Sequence, residues 1–278
     1  MIELLVVVAV ISVLVGILLP ALSAARQTAQ SSKCLANMHR FGITTTMYRD
    51  KSDGRFYPFR LSSANGMAYV NGYGRQKPRW QWFLGFELGA VINPPRDSDA
   101  PWGDSFSREM SNDYFMCPSL TGPFARDIRN GSYGYNYQYL GNSRTDTDPM
   151  EYDNFPVSEN AITSPARTVL IADSRGGDVD HGKHSYTLDP PRLATEKNAT
   201  RFGPGAADGS IAHSPAEARH RGQAAVSFVD GHAELMGLTE LGYEIGDDGV
   251  IVPITNGAIG TPVNQQWTGR GEDNPQRR

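Results

Sequence analysis

The chain has 278 residues and lacks an excess of basic side chains. It contains 26 Lys and Arg residues against 30 Asp and Glu residues, which gives a formal net charge of -4. Proteins that bind nucleic acids usually concentrate Lys and Arg on one surface, because contacts with phosphates supply much of their affinity. The composition therefore argues against a nucleic-acid-binding protein.

Charge is also scarce at the beginning of the chain, where Glu3 is the only charged residue between Ile2 and Leu22. A helix rises about 1.5 Å per residue, so roughly twenty apolar residues cross a hydrocarbon layer of ~30 Å. The segment therefore predicts a membrane-spanning helix. A secretory signal peptide would place Lys or Arg before a shorter apolar core and would end in a small-residue cleavage site. This segment has no basic start and a longer apolar run, so it does not follow that pattern.

Three residues distinguish this segment from a plain membrane anchor. An acid costs roughly 3 kcal/mol at the centre of a span and less near its end, so Glu3 indicates a function. Pro20 lacks an amide hydrogen and clashes with the preceding turn, and Gly16 lies one turn earlier. We expect a kink or a flexible point at Gly16 and Pro20.

From residue 21 to about residue 49 the apolar residues fall on one helical face, as in an amphipathic helix. The apolar stripe consists of Leu35, Met38, Phe41 and Tyr48. Gly42 lies beside the stripe, where its missing side chain would permit a close contact with the rest of the protein. Asp53-Gly54 predicts the turn that ends this stem helix.

The remaining residues form a soluble part of roughly 220 residues, which is large enough to bury its own core. Its many Gly, Pro and Tyr residues indicate a loop-rich, β-rich head with few helices. Residues 132–137 and 168–173 have the patterns of a half-buried and a buried strand. The aromatic cluster that begins at Trp80 is expected in the core, and the alternative is a patch that binds carbohydrate or a partner.

Residues 225–229 and 232–236 flank Asp230-Gly231, which predicts an antiparallel hairpin with a type I′ turn. His220 lies ten positions before Asp230, so the segment contains the pattern His-x9-Asp-Gly. His and Asp can act in acid–base catalysis or as metal ligands. However, the turn already accounts for Asp230, and a His before a strand can bond a backbone carbonyl. We therefore expect a structural motif of His220, Asp230 and Gly231, and no enzyme.

The opening residues follow a recognisable pattern. They read Ile2-Glu3-Leu4-Leu5-Val6-Val7, a Val/Ile/Leu helix, Leu18-Leu19-Pro20-Ala21-Leu22 and Ser23-Ala24-Ala25-Arg26. This segment resembles the N terminus of type IV pilins and type II secretion pseudopilins. The His-x9-Asp-Gly pattern and residues 34–38, 116–119, 132–136 and 171–174 are similar to landmarks of prepilin-like proteins. The resemblance thus covers most of the chain.

The resemblance and the patterns together imply an α+β, pilin-like fold, in which a long N-terminal helix packs on an antiparallel, β-rich head. Residues 1–22 would be the transmembrane or filament-core helix, and residues 23–50 the amphipathic stem. Residues 51–268 would be the globular head, with the motif hairpin at 220–236. Residues 269–278 contain no large apolar side chain and are expected to be a mobile tail.

The function that the resemblance implies is that of a structural filament subunit. The protein would cross the inner membrane once with a periplasmic head, and would then join an extracellular or periplasmic filament. Its partners would be further pilin subunits of the same or another kind, a prepilin peptidase and the inner-membrane assembly machinery. A long pilus and a short secretion pseudopilus both use this helix, so the sequence leaves the two open.

Residue roles follow from the same resemblance. Glu3 would neutralise the terminal ammonium of a neighbouring subunit and set the stagger between subunits, and Gly16 and Pro20 would mark the point where the helix loosens on packing. Family precursors carry a basic leader ending in Gly, and their acid is the fifth residue after cleavage. Glu3 is third here, so we expect a reassigned start or a trimmed chain.

A different class of function remains open. The protein can instead be a membrane-tethered extracytoplasmic binding or hydrolytic domain that uses the pilin export route. Its sites would then be the aromatic cluster around Trp80 and the loop from Asp173 to His184.

The resemblance places the soluble part in an oxidising compartment, where paired cysteines often form disulfides. Cys34 and Cys117 would then join the stem to the head; the alternative is two buried thiols. Asp173, Asp178 and Asp180 are candidates for a calcium site, since carboxylates on a loop suit this ion and some pseudopilins hold it in a C-terminal loop. Solvated turns are the expected alternative, and we predict no cofactor.

Overall fold

One long helix and an antiparallel sheet dominate the described part of the protein, which is α+β as predicted. The computed structural model describes residues 2–59, 70–71, 74–75, 79–89, 113–120, 132–141, 143–144, 152–153, 157–174, 187–191, 214–247, 251 and 264–271. The helices are α1 (Ile2–Lys51), α2 (Trp80–Leu88) and α3 (Tyr137–Leu140), and 3-10 turns occupy Asp113–Phe115, Glu159–Ala161 and Pro165–Arg167. The strands are β1 (Val70–Asn71), β2 (Gly74–Arg75), β3 (Tyr133–Tyr135), β4 (Ser143–Arg144), β5 (Tyr152–Asp153), β6 (Val169–Asp173), β7 (Ala224–Phe228) and β8 (Ala233–Met236).

Helix α1 is a single element of 50 residues. It runs through Gly16 and Pro20 without a break, so the flexible point at these residues stays a prediction. The helix ends where the turn signal predicts, because Gly54 has a φ angle of 70° and its amide donates to the carbonyl of Arg49 over 2.9 Å.

The two halves of α1 have different surroundings. Every residue from Ile2 to Ala29 is exposed, whereas the second half is buried along one face. The buried positions are Ser31, Cys34, Asn37, Met38, Phe41, Gly42, Thr44, Thr45 and Arg49, and the predicted stripe residues Leu35 and Tyr48 are half-buried. By length and composition α1 can cross a membrane, so it is a candidate membrane anchor or signal sequence.

The central sheet has four antiparallel strands in the order β3-β6-β7-β8. The inner strands β6 and β7 are buried along their whole length. Ala172 lies opposite Gly134 on one side and opposite Val226 on the other. These pairings confirm strands within residues 132–137 and 168–173, but the prediction that the first is half-buried is wrong, because all three residues of β3 are buried. Helix α1 packs across β6, β7 and β8.

The predicted hairpin is formed by β7 and β8, but its turn is not of type I′. Gly231 has a φ angle of 96°, whereas Asp230 is absent from the described non-glycine residues with positive φ. The amide of Gly231 donates to the carbonyl of Phe228, and the amide of Phe228 donates to the carbonyl of His232, each over 3.0 Å. A type I turn followed by a glycine bulge produces this three-residue loop, and it needs positive φ only at the glycine.

Aromatic side chains fill the space between α1 and the head. The Phe41 ring lies 5.8 Å from Trp80, 5.5 Å from Phe115 and 5.3 Å from Tyr133, measured between ring centroids. Trp80 is completely buried, which confirms the core assignment and leaves this residue unable to stack on an external ligand. Trp80 begins helix α2, and the sequence pattern did not predict a helix at this position.

The mobile tail was predicted to begin at residue 269, and this boundary is too early in the chain. The carbonyl of Gly269 accepts hydrogen bonds from the amides of Thr163 and Ser164 over 2.8 and 3.1 Å, so this part of the chain is held against the head. Residues 272–278 lie outside the described residues.

The close approach of α1 to the hairpin predicts the effect of Gly42→Ala. A Cβ atom at Gly42 would lie 2.6 Å from the Cα atom and 2.9 Å from the carbonyl oxygen of Gly231, so one of the two backbones must move. We expect the free energy of unfolding to fall by about 1–3 kcal/mol. Guanidinium unfolding of the detergent-solubilised chain, followed by tryptophan fluorescence, measures this change.

Gly16→Ala is the matched control, because no described atom lies within 4 Å of its Cβ position. It should leave the unfolding of the head unchanged. Equal stability of the wild type and Gly42→Ala would contradict the close packing.

Candidate functional site

Four reactive side chains meet beneath the stem half of α1. The ligating atoms of Cys34, Cys117, Asp173 and His220 all lie within 4.8 Å of one another, and we call this group the Cys/Asp/His cluster. Cys34 lies on α1, Cys117 follows the first 3-10 turn, Asp173 ends β6 and His220 precedes β7. Each of the four residues is at most 2% exposed.

The sheet fixes the position of Asp173. Its backbone pairs with Tyr133 of the neighbouring strand, and its Oδ2 atom accepts a hydrogen bond of 2.8 Å from the amide of Ala225. This bond ties the end of β6 to the beginning of β7, so the carboxylate has a structural task in the sheet. Its burial next to Cys117 was not visible in the sequence.

A tight turn fixes the position of His220. The backbones of His220 and Gln223 exchange hydrogen bonds of 2.9 and 3.1 Å. Between them Arg221 has a φ angle of 54° and Gly222 one of 83°, which is the pattern of a type I′ turn. The type I′ turn of the motif therefore lies directly after His220 and not at Asp230-Gly231.

The contacts within the cluster form a chain from one thiol to the carboxylate. The Cys34 thiol donates to the Cys117 sulfur over 2.9 Å, and the Cys34 sulfur lies 3.3 Å from the Tyr133 hydroxyl. The Cys117 sulfur lies 3.5 Å from Nε2 of His220, and the same nitrogen lies 3.1 Å from Oδ2 of Asp173. The structure contains two free thiols, so the predicted disulfide stays a prediction.

A buried arginine completes the charges of the cluster. Nη1 of Arg219 lies 3.7 Å from Oδ1 of Asp173 and donates to the Ser132 carbonyl over 3.1 Å, and Nη2 pairs with Glu217. Burial opposes the charged form of Arg219, but Asp173 and Glu217 outweigh it and raise its pKa further above the usual range.

The environment separates the two thiols. The hydrogen bond with Cys117 keeps the proton on Cys34 and, together with burial, raises the pKa of Cys34. Burial would also raise the pKa of Cys117, but its hydrogen bonds with Cys34 and His220 and the charge of Arg219 lower it to about 6. Burial opposes the charged form of His220, whereas hydrogen bonds with Asp173 and Cys117 raise its pKa to about 9.

With Cys117 as the nucleophile, the arrangement differs from a catalytic triad. Such a triad uses one ring nitrogen of His towards the nucleophile and the other towards the carboxylate. Here Nε2 of His220 faces both Cys117 and Asp173, while Nδ1 lies 3.3 Å from the Ser31 hydroxyl and 3.4 Å from that of Ser119. Cys117 therefore has no proton relay through the ring, whereas the two serine hydroxyls and Asp173 do lie on opposite ring nitrogens of His220. The Ser31 hydroxyl donates its own proton to the carbonyl of Gln27. The prediction that the protein is not an enzyme stays a prediction.

The donor set also includes common zinc ligands. Two thiolates on one tetrahedral zinc ion, at about 2.3 Å each, lie ~3.8 Å apart, which is wider than the 2.9 Å between Cys34 and Cys117. Arg219 already places a positive charge against Asp173. These two observations favour direct thiol–thiol chemistry over a metal ion.

The described residues include one of the three predicted calcium ligands, Asp173. Asp173 lies inside the cluster, beside thiols that suit calcium poorly, and Asp178 and Asp180 lie outside the described residues. Calcium therefore stays untested as a ligand of the loop.

Both ends of the His-x9-Asp-Gly motif contact α1. His220 reaches Ser31, and the carbonyl of Gly231 accepts a hydrogen bond of 2.9 Å from His39. Asp230 stays at the turn, where its Oδ1 atom accepts from the backbone amide of His232 over 3.1 Å. His220 and Gly231 therefore help to dock the stem half of α1 on the head.

The other predicted site residues lie far from the cluster. Glu3, Gly16 and Pro20 lie on the exposed half of α1, and the helix rise separates Glu3 from Cys34 by roughly 45 Å. Sequence reasoning missed Arg219 and Tyr133. The one local signal for Arg219 was its position next to His220.

The opposite pKa shifts of Cys117 and His220 predict how stability depends on pH in the reduced protein. Folding raises the pKa of His220 from 6.5 to about 9. Protonated His220 therefore stabilises the fold below pH 6.5, and this effect is lost as the pH rises to 9. Folding lowers the pKa of Cys117 from 9.0 to about 6. The Cys117 thiolate therefore stabilises the fold above pH 9, and this effect is lost as the pH falls to 6. The two effects nearly cancel, because folding moves a proton from one group to the other.

We therefore expect Cys117→Ser, in reductant, to lose roughly 1–3 kcal/mol more than the wild type between pH 6.5 and 9. Denaturant unfolding at the two pH values measures the difference, and all other titrating groups are common to both proteins. The double variant Cys117→Ser/His220→Asn is the control and should show no additional loss. Identical pH profiles of the wild type and Cys117→Ser would exclude the shared proton.

Comparison with known proteins does not place the chain in a family. No protein-family model, no curated protein and no solved structure matches it. The resemblance to pilins therefore rests on the residues of the N-terminal segment, of the His-x9-Asp-Gly motif and of the further landmarks at 34–38, 116–119, 132–136 and 171–174.

Proposed function

We propose that the protein is a structural subunit of a type IV pilus-like or type II secretion pseudopilus filament, anchored in the inner membrane before assembly. The observation that carries the proposal is the division of α1 into an exposed apolar half and a docked half. Leu4, Leu14 and Leu22 are 71%, 54% and 68% exposed. A continuous apolar surface of this kind indicates contact with lipid or with another protein.

The docked half of α1 explains why the exposed half needs an external cover. The face between Ser31 and Arg49 is buried on the head, and the head does not cover the residues before it. Lipid would cover the apolar half in the membrane, and the same half of neighbouring subunits would cover it in a filament.

Glu3 supplies a reason for regular assembly. Its carboxylate stands near the tip of the apolar half, where packing of several helices would bury it. A buried carboxylate without a partner costs several kcal/mol, so subunits would adopt the stagger in which a neighbouring terminal ammonium neutralises it. This role is the one that the resemblance to pilins implies.

The alternative of a membrane-tethered binding domain has less support. Trp80 is buried against Phe41 and Phe115, and Asp173 is enclosed in the Cys/Asp/His cluster. Neither of these two residues offers an exposed site for a ligand, and residues 175–184 of the predicted loop lie outside the described residues. The anchor itself is common to both proposals.

The filament role predicts that Glu3→Leu inserts into the membrane but enters filaments poorly. An energetic preference of several kcal/mol for the correct stagger corresponds to at least about a tenfold loss of incorporation. Immunoblots of sheared-filament and membrane fractions, with negative-stain microscopy of the former, measure the ratio.

Glu3→Asp retains the charge and is the matched control, so it should assemble better than Glu3→Leu. Wild-type amounts of Glu3→Leu in sheared filaments would refute the role of Glu3. Retention of the wild-type protein as a monomer in membranes would favour the tethered-domain alternative.

A further inference from the structure

We propose that Cys34 and Cys117 form a disulfide that locks the stem to the head, with Cys117 as the attacking sulfur and Cys34 as the resolving one. His220 and Arg219 act as positioning residues for Cys117. The first residue of the His-x9-Asp-Gly motif, His220, thereby assists formation of the disulfide.

The first argument is the distance between the sulfurs. They lie 2.9 Å apart although 83 positions separate the residues in the chain. A disulfide bond measures about 2.05 Å, so the bond needs a movement of less than about 1 Å. One partner lies on α1 and the other on the head, and the bond would therefore fasten the two parts that the docking surface holds together.

The second argument is the asymmetry of the surroundings. Cys117 accepts the hydrogen bond from Cys34, faces the imidazole of His220 at 3.5 Å and lies near the positive charge of Arg219. Against burial and the charge of Asp173, these three contacts together stabilise a thiolate. Cys34 faces the Tyr133 hydroxyl and the Cys117 sulfur, and its thiol keeps its proton. The thiolate is the nucleophile in thiol–disulfide exchange, so Cys117 attacks first.

The third argument is the order of events that burial imposes. Both sulfurs are covered while the stem is docked, with Cys34 at 0% and Cys117 at 2% exposure. An oxidant therefore reaches them only when the stem is undocked. In that state Cys34 leaves with the helix and its hydrogen bond to Cys117 is lost, so His220 and Arg219, which precede β7 in the head, are the groups that favour the Cys117 thiolate.

The exchange requires a disulfide oxidant, which is a small disulfide such as oxidised glutathione or the disulfide of an oxidoreductase. The Cys117 thiolate attacks one sulfur of this disulfide and expels the first thiolate, which leaves a mixed disulfide on Cys117. Docking brings Cys34 to Cys117. The Cys34 sulfur passes its proton to the released thiolate, attacks Cys117 and expels the second thiolate. The protein loses two electrons, and the oxidant gains them.

The proposal rests on the proposed function in one respect, which is that an extracytoplasmic head meets such an oxidant. The chemistry of the purified chain does not depend on assembly. A failure of the disulfide would leave the Glu3 experiment unaffected, and a failure of assembly would leave the disulfide testable.

The test uses the full chain in detergent, reduced and then incubated with oxidised glutathione. Samples are acid-quenched, unfolded and labelled with a maleimide that shifts the mass for each free thiol. We expect the wild type to lose both labelled thiols as a monomer without a glutathione adduct. Two persistent labelled thiols, or a disulfide only between chains, would overturn the proposal.

Single-cysteine variants test the order of attack. Undocking of the stem exposes both positions together, so the ratio of adduct rates reports their reactivities. We expect Cys34→Ser, which retains Cys117, to form the glutathione adduct at least about tenfold faster than Cys117→Ser. Equal rates would overturn the assignment of Cys117 as the attacking sulfur.

The role of His220 is tested in the Cys34→Ser background. We expect His220→Gln to slow adduct formation severalfold, whereas His232→Gln, at the exposed turn of the hairpin, should not. Thermal melts of both variants show whether a slower reaction results from loss of the His220 side chain beside Cys117 or from unfolding of the variant. An unchanged rate in His220→Gln would remove His220 from the proposal.

A metal assay completes the test. One zinc ion per chain in the purified protein, together with thiols that become reactive only after addition of a chelator, would replace the disulfide by a metal site. Absence of bound zinc supports the proposal.

Discussion

The docking of the second half of α1 on the sheet is the contact on which the rest of the structure depends. Ser31 and Arg49 delimit the buried face of the helix, and the residues before it remain exposed. One continuous helix thus occupies two environments, and the docked half determines where the apolar half leaves the head. The Cys/Asp/His cluster also depends on this contact, because Cys34 reaches Cys117 only when the stem is in place.

The spacing of the His-x9-Asp-Gly motif matches the helix that it holds. His220 contacts Ser31 and Gly231 contacts Gly42. The eleven steps from Ser31 to Gly42 rise about 16 Å, and the four steps across the five residues of β7 extend over roughly 14 Å. Strand and helix therefore run in the same general direction over similar lengths, so a motif with fixed spacing can contact α1 at two points three turns apart.

Patterns that are local in the sequence could be predicted, and contacts between distant elements could not. The apolar run, the buried strand at Val169–Asp173 and the glycine at position 42 each follow from periodicity or from the lack of a side chain. The cluster unites residues from four separate segments, and no local pattern links them. The type I′ turn was assigned to Asp230-Gly231 because this dipeptide favours it, although the structure forms it at Arg221-Gly222. There the hydrogen-bonded pair of His220 and Gln223 accommodates an arginine in a conformation that costs roughly 1–2 kcal/mol.

Polar residues on the buried face of the stem explain how an apolar helix keeps one register on the head. Hydrophobic burial has no direction, so aliphatic packing alone would tolerate sliding of α1 along the sheet. Asn37 donates to the Tyr133 hydroxyl over 3.2 Å, and Thr45 lies 3.1 Å from the Tyr57 hydroxyl. A shift of α1 by one turn would leave these buried groups unpaired, at a cost of about 1–3 kcal/mol for each. Apolar periodicity could not identify Asn37 or Thr45, because they contribute to the position of the helix through hydrogen bonds and not through apolar area.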